Sequence, residues 1–201
     1  MTFREALAEQ RWDDHRFYHH NRINQSLHLV SALCFIGAYA LLPIEPAAAV
    51  LLAWLVAMPS RQLGHFFFEP QDYDQANHVT HEYKEEVKVG YNLHRKAVLL
   101  TVWILSPLPL LASPTLFGLM PAAAGWRALV NNVATVWLVV GAGAVIVRTV
   151  HLFFLRDIQT GLVWCTKILT DPFHDVKLYC RAPFYVMRGE LFDPIVSEDA
   201  A

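Results

Sequence analysis

Four stretches of this chain stay apolar for longer than a helix in a soluble protein requires, and nothing else in the sequence constrains its fold as tightly. They cover residues 27–43, 47–68, 97–120 and 128–155. A helix rises about 1.5 Å per residue, so about 20 apolar residues cross a hydrocarbon core. The chain therefore reads as an all-α, polytopic membrane protein with about four transmembrane helices in a single membrane domain, residues 1–201. Composition agrees, with 55% of residues apolar and 17% charged, against roughly 45–50% and 25% in soluble domains. That excess rules out a disordered chain, and three cysteines are too few for a disulfide scaffold. Cys34 in an apolar run, with Cys165 and Cys180 in the polar tail, fits a reduced, cytosol-facing setting. Two stretches are interrupted. Pro59, Arg61 and Gln62 break the second, leaving it continuously apolar only to about Met58, and Pro107, Pro109 and Pro114 should kink or shorten the third.

Lys and Arg accumulate in the cytoplasmic loops of membrane proteins, so the cations orient the spans. Of sixteen, only Arg127 falls in a connection assigned to the outside. The others lie in residues 1–26, in the middle polar segment with the end of the second stretch, or from Arg148 onward. Both termini are expected in the cytoplasm, together with a polar insert at residues 69–96 and a tail at residues 156–201. Residues 1–26 hold no apolar run ahead of a small-residue cleavage site, so no removable signal peptide is expected.

The ten histidines follow the same asymmetry, since none sits in an outer connection. Neutral imidazole is the commonest transition-metal ligand, and His28, His65 and His151 should lie at one membrane depth. A single interfacial histidine is more often a hydrogen-bonded packing residue. Local spacing argues for more here: His15, His19 and His20 form an H-x3-H-H group, and His78 and His81 share one helix face. Cysteine pairs for structural zinc are absent, as are the H-E-x-x-H helix of zinc proteases and the E-x-x-H steps of carboxylate di-iron bundles. A histidine-rich site with a carboxylate such as Glu69 or Glu82 suits iron and oxygen chemistry best, with copper and zinc left open.

Two blocks carry a family resemblance. Phe17-Tyr18-His19-His20-Asn21, followed by Asn24 and His28, reads F-Y-H-H-N-x2-N-x3-H; Gln62 to Glu69 reads Q-x-G-H-x2-F-E. They resemble the 2-hydroxy fatty acid dioxygenase family, typified by the fungal membrane protein of phytosphingosine breakdown, and Ala182-Pro183-Phe184-Tyr185 is similar to its closing stretch. The resemblance implies an iron(II) enzyme of the endoplasmic reticulum or a bacterial inner membrane that uses molecular oxygen to shorten a 2-hydroxy fatty acid by one carbon. It implies His19, His28 and His65 as metal ligands, with His20 and Glu69 catalytic beside them.

A 2-hydroxy acid offers a metal two adjacent oxygens while its acyl chain lies among apolar helices, and Arg22 or Arg61 is placed to neutralise the carboxylate. Both arginines also read as ordinary interfacial anchors. Residues 74–88 read as a polar helix with Asp74 as cap and Gly90 as stop, able to bring His78 and His81 over the site as further ligands or to stand as a solvated face. Residues 170–175 read as a polar turn, and residues 179–191 as an amphipathic segment on the membrane surface. Gly141-Ala142-Gly143-Ala144 reads as close helix packing rather than a dinucleotide fingerprint, and no nucleic-acid partner is expected. Two other classes remain: a histidine-box fatty acid hydroxylase or desaturase type of oxygenase, and a non-enzymatic helical membrane protein whose histidines sense pH or bind a partner.

Overall fold

The computed structural model describes residues 1–69, 72–74 and 77–194. The polar N-terminal segment forms α1 (Phe3–Tyr18), opened by a capping box in which Thr2 and Glu5 each accept from the other's backbone N–H. Next come α2 (Arg22–Leu41), α3 (Pro46–Leu52), a π-helical turn (Ala53–Ala57) and α4 (Met58–Phe67). The polar insert contributes α5 (His81–Val87), followed by α6 (Leu93–Leu105), α7 (Pro109–Ala112), α8 (Trp126–Leu155), α9 (Ile158–Tyr179) and α10 (Ala182–Met187). Among the described residues there are no strands, only two isolated bridges.

Four helical runs are long and apolar enough to cross a membrane: Arg22–Leu41, Pro46–Phe67, Leu93–Ala112 and Trp126–Leu155. Four such helices suggest a membrane protein. The second run keeps its expected length, through Phe67, although its apolar pattern breaks near Met58. Pro59 lacks the N–H of a regular helix turn and its ring crowds the carbonyl four residues earlier. The chain widens just before it, with the Met58 N–H reaching back five residues to the Ala53 carbonyl, and the helix continues to Phe67. The third run is bent between α6 and α7, where Pro107 and Pro109 lie, and stops at Ala112, short of the expected Met120.

α2 is the centre of the bundle, packed against α9, α4, α3, the π-helical turn and α10, while α8 joins through α9 and α3. Far from the termini of α1, Trp54 stacks on Trp103 at 5.2 Å between ring centroids. Gly141 of α8 faces Trp54 so closely that a Cβ there would lie 2.9 Å from its ring; a Cβ at Gly143 would meet nothing within 4 Å. Only Gly141 of the glycine pair is a packing residue.

Two polar segments fold differently from the sequence expectation. Residues 170–175 are not a turn: α9 runs through Pro172, held by polar side chains described below. The helix expected from Asp74 begins only at His81, because Thr80 caps it by accepting from the Tyr83 N–H. Asp74 instead closes a turn by accepting from the Asn77 N–H and bridging Val79; Gln75 and Ala76 lie outside the described residues. The tail returns to the start of α2, where the Arg22 N–H donates to the Leu191 carbonyl and the Asp193 N–H to the His20 carbonyl. Residues 195–201 lie outside the described part.

Candidate metal centre

The break between α1 and α2 sets the first ligand. His19 ends α1, and Asn21 starts α2 by accepting from the Ile23 and Asn24 N–H groups, so the chain turns within two residues. The turn frees the carbonyls of residues 18 and 19, which α1 can no longer bond. Amides from the first turn of α2 take them: Asn24 Nδ2 donates to the Tyr18 carbonyl at 2.9 Å and Gln25 Nε2 to the His19 carbonyl at 2.8 Å. Those bonds fix His19 over the face of α2 that carries His28. α4 then approaches α2 across Gly64, where a Cβ would stand 2.1 Å from Asn24 Oδ1; the missing side chain lets the next residue, His65, reach the other two.

The three rings form one cluster. Their ligand nitrogens lie within 4.8 Å of one another. His19 Nε2 is 3.1 Å from His28 Nε2, and the ring centroids of His28 and His65 are 4.9 Å apart. Exposure is 2% for His19, 0% for His28 and 5% for His65, so water does not solvate these nitrogens. Burial, reinforced by neighbouring His28, holds the His19 imidazole well below the usual histidine range. It is therefore neutral, the state in which imidazole binds a metal.

Surrounding carboxylates orient the rings. His65 Nδ1 is 2.7 Å from Glu69 Oε2, and the other Glu69 oxygen accepts from Lys88 Nζ at 2.8 Å. This leaves Nε2 as the free nitrogen of His65, the carboxylate–histidine arrangement found behind metal-bound imidazoles. Both Glu69 oxygens are thus engaged, one on His65 and one on Lys88. His28 Nδ1 faces Asp175 Oδ2 at 3.7 Å, and Arg61 donates to that same oxygen at 3.1 Å. Tyr179 closes the site, its ring centroid 6.0 Å from His19 and 6.3 Å from His28, with its hydroxyl 3.3 Å from His15 Nδ1. Burial, then the charge of Asp175, pushes the Tyr179 hydroxyl well above the usual tyrosine range, so it stays protonated.

The remaining expected site residues stand elsewhere. His78 is an exposed turn residue with φ 54°, and His81 opens α5; neither belongs to the cluster. His20 also lies outside it, turned toward Asp74 with its Nε2 3.9 Å from Oδ2. Arg22 donates to the Phe192 carbonyl and the Asp193 carboxylate and stacks 3.9 Å above the Tyr185 ring, so it clamps the tail instead of receiving a substrate head group. Arg61 is bound to Asp175 and acts on the cluster through it.

The sequence reading missed the contribution of α9. Lys167, Asp171, Asp175 and Tyr179 repeat every four residues and make one polar stripe along it. Lys167 bonds Asp14 of α1 at 2.8 Å and Asp171 at 2.7 Å, and Asp171 in turn pairs with Arg11 at 3.2 Å. The spacing was visible; assigning a turn at Pro172 hid it.

No protein-family model, curated protein or solved structure matches the chain. Fold and site together define a class: an all-helical protein with four helices able to span a membrane and a buried group of three histidines that could hold a metal ion.

Proposed function

We propose that this chain is an iron(II)-dependent membrane dioxygenase that shortens 2-hydroxy fatty acids by one carbon, with His19, His28 and His65 as the iron ligands. The observation that carries the reading is the convergence of three buried imidazoles from the α1–α2 turn, α2 and α4. Three nitrogen ligands leave coordination positions free, and imidazole suits iron. Bound iron(II) supplies the one-electron chemistry that lets molecular oxygen attack a carbon–hydroxyl group. The balance closes without an outside reductant: one 2-hydroxy acid and one molecule of oxygen yield the acid one carbon shorter, carbon dioxide and water.

The protein's own groups bind, orient and exclude water. Glu69 keeps the proton on His65 Nδ1; Asp175, itself held by Arg61, sets a negative charge 3.7 Å from His28 Nδ1; and the Tyr179 ring shields the His19 and His28 faces. The acyl chain lies along the apolar helices and its head at the cluster. Fifteen of sixteen cations fall with the histidines on one side of the spans, which supports a cytoplasmic site in a bacterial inner membrane or the endoplasmic reticulum. A histidine-box hydroxylase needs two ions; one three-histidine group among the described residues favours one.

The test is metal content and turnover of purified protein. Wild type should hold about one iron per chain and release carbon dioxide from a 2-hydroxy fatty acid, while His19→Ala, His28→Ala and His65→Ala each lose both. Unchanged metal in all three variants would remove the proposal, and iron without carbon dioxide release would remove its substrate.

A further inference from the structure

A second polar feature lies away from the histidines. A cavity of about 270 Å³ opens where α5, the start of α6 and the end of α8 meet, and none of the three clustered histidines lines it. Four cations reach it: Lys88, Arg95, Arg148 and Arg156. Two are already committed. Arg148 is 3% exposed and spends its guanidinium on the Val89 and Gly90 carbonyls and on His151, which makes it part of the wall. Lys88 is paired with Glu69 and with Glu85, one of the two carboxylates on the α5 side.

Arg95 and Arg156 are different. Both are exposed, and neither side chain makes a hydrogen bond or ion pair among the described residues. Two guanidinium groups without protein partners lining one cavity supply the donor forks that a phosphate accepts from. Asn92, the cap of α6, also lines the cavity, so the partial positive charge of that helix end adds to the field.

Beside Arg148 and Arg156, the end of α8 also brings apolar side chains to the cavity. These are Leu152 and Leu155, and the same helix end carries Phe154 at 84% exposure and Val147 at 66%, with no protein covering them. An anion with long apolar tails satisfies both surfaces at once. The cavity falls below the roughly 300 Å³ at which pockets enclose a whole small ligand, so it takes a head group and leaves the tails along α8.

We infer that this cavity binds the phosphate of an anionic phospholipid, gripped by Arg95 and Arg156, with the acyl chains on the uncovered face of α8. None of the three clustered histidines lines the cavity, and its one link to them is Lys88, which bonds Glu69 behind His65.

Binding is measured on the full-length protein in a neutral detergent, by the rise in Tm on titration with phosphatidylglycerol, phosphatidylcholine or inorganic phosphate. Phosphatidylglycerol should stabilise the wild type saturably and phosphatidylcholine should not. Arg95→Gln/Arg156→Gln should weaken the phosphatidylglycerol response at least tenfold, whereas Arg127→Gln, at the far end of α8, should leave it unchanged. Arg156→Gln alone, just past the end of α8, gives the same loss at smaller amplitude if the double variant does not fold. An equal response in the arginine variants and wild type overturns the site. Equal stabilisation by phosphatidylcholine overturns the anion requirement, and full stabilisation by inorganic phosphate overturns the assignment to a lipid.

Discussion

Where α1 turns into α2, the bundle buries His19, Asn24, Gln25, His28 and, from α4 and α9, His65 and Asp175; where α2 gives way to α3, it buries Ala38, Ala49, Val50 and, from α8, Ala134 and Val136. The same helices build both ends. At the apolar end, small side chains and the Trp54–Trp103 stack fill space, and stability comes from close contact. At the polar end each buried group costs about 2–7 kcal/mol if left unbonded. The chain offsets this with specific partners: amides on freed carbonyls, Glu69 on His65, and Lys167 between Asp14 and Asp171. Several polar atoms there still have no partner among the described residues, including His19 Nδ1, Asn24 Oδ1 and His28 Nδ1. Such a concentration of dry, imperfectly paired groups is what a ligand-binding site requires and what a purely structural end avoids.

That contrast can be broken most forcefully at Lys167. Lys167→Met leaves Asp14 without its cation and Asp171 with Arg11 alone, so Tm should fall by the equivalent of about 2–3 kcal/mol, below the full cost of a wholly buried pair because Asp14 is partly exposed, with a loss of less than half that sinking the idea of a polar end held by its ion network. Next comes a paired glycine test. Gly64→Ala drives a methyl group into Asn24 and should cost about 1–3 kcal/mol together with metal retention, while Gly143→Ala meets nothing and should leave Tm and metal content near wild type. If both glycine variants behave alike, close approach at the histidine end does not matter.

Glu69→Gln sharpens the comparison without disturbing packing. Removing the charge behind His65 should weaken metal binding about 10- to 100-fold, read by competition with a coloured chelator, with little change in Tm. A smaller effect concerns acid. Burial, the largest single influence, would raise the Asp14 carboxyl, but the charge and hydrogen bond of Lys167 together with neighbouring cationic groups outweigh it and hold Asp14 well below the usual carboxylate value of 3.8. A carboxylate depressed in the folded state contributes stability above that value and loses it as pH falls further. Tm should therefore drop below about pH 4 in the wild type and less steeply in Asp14→Asn; parallel curves would discard the linkage. His78→Ala and His81→Ala should change metal affinity less than about twofold, the scatter expected of surface substitutions, since neither belongs to the cluster.

Much of the scaffold was legible in residue order. Apolar runs located all four helices, missing by more than a few residues only at the proline-rich end of the third, because transfer of a helix into hydrocarbon sums over neighbouring side chains, a local quantity. The histidine end was legible for the same reason, since polar residues flanking the runs declare themselves by position. Proline was misread once: Pro172 reads as a turn but sits inside a continuous helix beside the ion pairs of the polar stripe, whereas Pro59 is accommodated by a π-helical turn within the stretch that apolarity marked out.

The site itself divides along the same line. That His19, His28 and His65 belong together was suggested by the sequence blocks around them, but that their nitrogens lie within 4.8 Å was decided by the α1–α2 turn and by the approach of α4 across Gly64. Asp175 and Tyr179 come to His28 and His19 from parts of the chain remote in sequence. His78 and His81, although suitably spaced, are left out. Spacing along one helix fixes which side chains share a face, and so it can be read from order alone; which faces meet depends on how helices cross, and that is settled only when the whole bundle packs.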